Sequence, residues 1–219
     1  MPNSRFILHP LNATGRLDPV LSAIAAALLK AEARLAQLVD LPLTDVVLAI
    51  DPRACIPSLG HGGYCPGPHQ ITLSFDPDNP ACSGNLDLPL QATIAHEVHH
   101  ALRWAGPGYG QTLGEALVTE SLAIAFEHEA FDMPQAPWEV MPADRVDLVV
   151  AEARAAWATT TYDHDQWFFG HGQASWSGHG YALATRLVSR WLAGEATRLA
   201  SRQAGVPANV LRPVLDALT

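Results

Sequence analysis

The stretch ATIAHEVHHALRWAG, residues 92–106, contains His96-Glu97-Val98-His99-His100, a match to H-E-x-x-H. Two imidazoles at i and i+4 on one helix can reach a single metal, and a Glu beside the first can reach a water on it. The chain holds ten His and nine Glu. That composition produces such a match by chance in about one chain in fifty, so the pattern needs independent support. On a helical wheel, Ile94, Ala95, Val98, Ala101 and Leu102 share one face. His96 and His100 share the opposite side, flanked by Glu97 and Arg103. His99 points elsewhere and is expected to meet solvent or support a ligand, not to bind metal.

A catalytic zinc takes three protein ligands and keeps one position open. A third His six residues past His100 would stand at position 106, which is Gly. The other solution is a Glu on the next helix, about twenty residues on, and Glu120 stands there. Leu113, Ala116, Leu117, Ala123 and Ile124 fall on its face. A carboxylate in an apolar stripe is costly unless something neutralises it, and a metal does so. Glu115 lies well round the wheel, whereas Glu127 shares the face two turns later and is placed to hold a ligand His in the right tautomer.

The elements that must position these residues follow from pattern. Residues 18–40 read as an Ala/Leu-rich helix with Asp18 as cap and Pro19 in its first turn. DVVLAID (45–51) reads as a strand. The Gly/Pro-rich stretch PRACIPSLGHGGYCPGPH then reads as a loop, and His61 within it as incidental. QITLSFD (70–76) alternates apolar and polar residues as a strand does. Asp87 and Pro89 mark the start of the motif helix, about 88–105, and PGYGQ ends it. Further helices are expected at about 111–131, 142–158 and 181–200, with a short one at the end. An aromatic, Gly-rich loop covers 160–180. The fold class is α+β, mostly helical with a small early sheet. One domain is expected over 1–219, its sheet-containing part at about 1–87 and its helical part, carrying the site, at about 88–219.

Composition removes several function classes. The net charge is −9, from 13 Lys and Arg against 22 Asp and Glu, with no basic run. This argues against nucleic acid or an anionic membrane as partner. The N-terminal residues do not read as a secretory signal, and PVLSAIAAALL is about half a membrane span. A soluble cytoplasmic protein is expected. Cys55, Cys65 and Cys82 fit free thiols and no structural zinc pattern, although Cys55 and Cys65 share one loop.

HEVHH followed by GEALVTESLAIAFE resembles the gluzincin branch of zinc metallopeptidases, which pair H-E-x-x-H with a downstream Glu. The succession GHGGYCPGP, QITLSFDP, HEVHH and TESLA resembles more closely a bacterial family described as zinc-dependent proteases of unknown function, over roughly residues 45–195. The resemblance implies a zincin-like fold and one zinc per chain, with His96, His100 and Glu120 as ligands and Glu97 as general base. Ser121 stands where that family has Gly. Ile124 stands where thermolysin-type enzymes carry an acidic residue, so Glu127 is the substitute expected to orient the ligand histidine. Related metallopeptidases draw an oxyanion donor from later in the chain. Of His164, His171, His179 and Tyr181, Tyr181 is the first choice and His179 the second. Gluzincins also pair extended substrate with an edge strand, which makes QITLSFD, through Thr72 and Ser74, the expected substrate-binding element.

The leading reading is a zinc-dependent peptidase acting on peptides or unfolded protein. A zinc-dependent hydrolase of a non-peptide amide and an inactive peptidase-like binding module are the alternatives. Oligomeric state and substrate specificity have no signature in the sequence.

Overall fold

The computed structural model describes residues 4–170, 174, 177–195 and 198–218. The chain divides into two compact units. One holds Met1–Ala105 with Phe126–Met133, the other Gly106–Ala125 with Pro134–Thr219. Among the described residues, no helix is long and apolar enough to cross a membrane.

The first unit contains strand β1 (Phe6–Pro10), helix α1 (Leu21–Leu35), strands β2 (Thr44–Ile50), β3 (His61–Gly67) and β4 (Gln70–Phe75), and helices α2 (Pro80–Gly84) and α3 (Leu88–Arg103). The four strands form one sheet in the order β1-β2-β4-β3. β1, β2 and β4 run parallel, and β3 is antiparallel to β4. β2 and β4 owe their place to Val46 and Leu48, and to Ile71, Leu73 and Phe75, all buried. α1 buries Ile24, Ala27, Leu28, Ala31 and Leu35, a helical stripe. It begins at Leu21 with Val20 as N-cap, not at Asp18, whose carboxylate instead accepts from Asn12 Nδ2 at 2.7 Å.

Two expectations about the sheet are corrected. The Gly/Pro-rich stretch is not all loop, because β3 lies within it. β4 is not an edge, because β2 and β3 flank it, so Thr72 and Ser74 sit on a strand whose main chain is paired on both sides. The edge on that side is β3. Its two adjacent glycines and its proline are tolerable there, where only one side of the strand must pair.

Helix α4 (Leu113–Phe131) passes from the second unit into the first. The second unit adds α5 (Val146–Ala156), α6 (Gly180–Ala193) and α7 (Arg212–Asp216). Leu113, Leu117 and Leu122 join Val149, Val150, Leu183, Leu187, Leu211 and Leu215 in its core. α4 is not apolar along one stripe alone: Val118, Thr119, Ser121 and Leu122 are as buried as the face of Glu120. A helix apolar all round is an interior helix. Ser121, small enough for this setting, places its hydroxyl 2.9 Å from the carbonyl of Ala184. The late loop contains one turn of π-helix, Asp165–Phe169, ended by Gly170 at a φ of 75°. His171 lies outside the described residues.

Candidate metal centre

α3 carries the motif, and its buried residues show how. Leu90, Ile94, Ala95, Val98 and Ala101 anchor it by their apolar face. The opposite side brings His96 and His100 into edge-to-face contact, ring centroids 4.6 Å apart. His96 is partly exposed and His100 buried. Nδ1 of His96 lies 2.5 Å from Oε1 of Glu127, so Nε2 is the ring nitrogen left to ligate. Carboxylate contact at the far nitrogen fixes the tautomer and raises the basicity of the ligating one. Glu127 thus stands at His96, and Ile124, where thermolysin-type enzymes place an acid, is buried.

Of the two alternatives for His99, contact with solvent is ruled out. The residue is fully buried, with its ring 5.5 Å from that of Phe126.

Glu97 is 5% exposed and lies under strand β3. A Cβ built on Gly63 would stand 2.5 Å from Oε1 of Glu97 and 2.6 Å from its Cγ, so the strand passes over the carboxylate with no room for a side chain. The neighbours on the same face of β3 fit this alignment. His61 places Nε2 3.2 Å from Oγ1 of Thr93, one turn before Glu97. Burial pulls His61 down to about 4, so it is a neutral packing residue. Cys65 is pushed up to about 12 by burial and by the Glu97 carboxylate, so its thiol stays protonated. Among the described residues all three cysteines are free.

Glu120 is 4% exposed and sits in the apolar middle of α4. Tyr109, in the break between α3 and α4, donates its hydroxyl to Oε1 of Glu120 at 2.6 Å. Burial and this carboxylate hold the phenol well above its ordinary value, so it remains a donor. No periodicity marks Tyr109 in the sequence. The only signal was an aromatic residue alone between two glycines in PGYGQ. Around it stand His164, with its ring 6.1 Å from that of Tyr109, and Tyr162, whose hydroxyl is 3.4 Å from His164 Nδ1. His164 stacks on Phe168 and is shifted down by burial. Tyr181 packs on Phe168 at 5.1 Å. His179 turns Nδ1 to the carbonyl of Ser177 at 2.9 Å.

His96, His100 and Glu120 each offer one ligand atom, and these atoms lie within 4.8 Å of one another. Two imidazole nitrogens and a carboxylate oxygen, with a glutamate behind the first imidazole, are a donor set that fits zinc.

No curated protein and no solved structure matches the chain. A family model described as "Predicted Zn-dependent protease (DUF2268)" matches residues 22–210, most of its length. The chain belongs to that family.

Proposed function

We propose that this protein is a zinc-dependent peptidase of gluzincin type, with a zincin-like fold and one zinc per chain held by His96, His100 and Glu120. The observation that carries the reading is the approach of those three ligand atoms to within 4.8 Å of one another, with a buried Glu97 beside His96 in the chain. Bound there, zinc would supply a Lewis acid for the substrate carbonyl and lower the pKa of a water to about 7. Glu97 takes the proton of the attacking water and passes it to the leaving amine. Glu127 holds His96 in the ligating tautomer. Tyr181, and after it His179, is the proposed donor to the developing oxyanion. Tyr181 is supported by its packing on Phe168 in the group of rings around Tyr109 and Glu120.

The proposed substrate is an extended peptide or unfolded segment met in the cytoplasm, with no nucleic-acid or membrane partner. It adds to the outer edge of β3, not to β4. Gly60 accepts from Asp76 N on the β4 side, and His61 O turns the other way to accept from Ile56 N. Strand alternation then points the main-chain groups of Gly63 outward, directly above Glu97.

Elemental analysis of wild type and Glu120→Gln, prepared without added metal, tests the reading. Support is about one zinc per chain, lost in the variant. Folded wild type that takes up no zinc when supplied overturns it and leaves a peptide-binding module. A substrate-length series separates a peptidase, whose rate rises with peptide length, from a hydrolase of small amides.

A further inference from the structure

Tyr109 is anchored at both ends by consecutive residues of α4. Its carbonyl accepts from Oγ1 of Thr119 at 3.0 Å, and its hydroxyl donates to Oε1 of Glu120 at 2.6 Å. The flanking Gly108 and Gly110 have φ of 71° and 92°, in the left-handed region, which lets a very short segment turn the ring back onto the helix. The result is a phenol directed at one oxygen of a buried carboxylate.

A carboxylate can bind a metal through one oxygen or through both. A donor on Oε1 makes that oxygen a poorer ligand and leaves Oε2 to act alone. We propose that Tyr109 is a positioning residue that sets Glu120 as a single-oxygen ligand and so keeps a coordination place open for water or substrate. This rests on the zinc reading above, and it adds a residue that neither the H-E-x-x-H spacing nor the downstream Glu points to. Tyr109 does not touch the reacting atoms; it acts through Glu120.

The test uses cobalt(II) as a spectroscopic stand-in for zinc in the full-length chain, comparing wild type with Tyr109→Phe, which keeps the ring. Wild type is expected to show the strong visible absorption of a four-coordinate site. The variant is expected to show a several-fold weaker band, as Oε1 enters the coordination sphere and the coordination number rises. Zinc affinity, measured by chelator competition, should fall about tenfold, as for other groups that orient a ligand. A variant that keeps its fold by circular dichroism, with spectrum and affinity unchanged, overturns the proposal and leaves the zinc reading standing. Wild type that binds no cobalt, or Glu120→Gln that binds it with an unaltered spectrum, overturns the zinc reading and the proposal with it. A merely structural tyrosine would alter stability without altering the cobalt band.

Discussion

Helices α3 and α4 each bury a carboxylate, and they do so by opposite means. α3 is two-sided: an apolar face anchors it, and its polar side holds Glu97 under a strand from which the side chain has been removed at Gly63. α4 is apolar nearly all round, and Glu120 survives in it by meeting a phenol from a short glycine-flanked turn. A bare strand above the carboxylate suits the group proposed as the base. A fixed oxygen suits a ligand. On the proposed reading the first is the base and the second a metal ligand, and the surroundings of each differ to match.

The sharpest break between them is Glu97→Gln. Removing the base should lower kcat by about a thousandfold while zinc content stays at the wild-type level. If turnover and metal fall together, Glu97 is structural and the distinction fails. The strand above it gives the next effect. His61 is neutral in the folded state because burial lowers it from 6.5 to about 4. The unfolded chain therefore binds the extra proton first. This share of stability is present above pH 6.5 and is lost as the pH falls towards 4, by about 3 kcal/mol. Denaturant midpoints between pH 7 and pH 4.5 should show a steeper fall in wild type than in His61→Leu.

Gly63→Ala should lower kcat/KM by about a hundredfold with zinc retained, because its Cβ must displace the strand or Glu97. Glu127→Ala should weaken zinc affinity by about 10- to 100-fold, measured by competition, since it removes the partner of His96 Nδ1. The smallest expected change is Thr72→Ala, within about twofold in kcat/KM, because β4 is paired on both sides. A tenfold loss there would return substrate binding to β4.

Much of the skeleton was legible because it repeats. The periodicities of α1, α3, α4, β2 and β4 put each of them in place to within a few residues, and the α+β class follows from them. Strands β1 and β3 were not legible. β1 is five residues ending in Pro10, and β3 reads HGGYCPG, where glycine and proline signal a loop. Their strand character comes from pairing with β2 and β4, which no local pattern encodes. Reading that stretch as loop leaves β4 outermost, which misplaces the edge by one strand. For His99 only the solvent alternative fails: an imidazole off the apolar stripe looks solvated until a phenyl ring, Phe126, is found beside it. The approach of His96, His100 and Glu120 to one another, and of Glu127 to His96, is legible as spacing. Tyr109 was not, because its role depends on how a turn folds back and not on any interval.

The bare segment of β3 also carries an alignment mark. Gly62 and Gly63 both lack room for a side chain, one against the carbonyl of Ala54 and the other against Glu97. In the present pairing Gly63 faces Leu73 of β4. Sliding β3 by two residues keeps the faces but brings His61 or Cys65 over the carboxylate, and sliding by one inverts the faces. A two-residue slide in either direction therefore puts a side chain where the present setting has none. On the proposed reading, a chain assembled two residues out of register at this edge would lose its site by obstruction, not gain a different one.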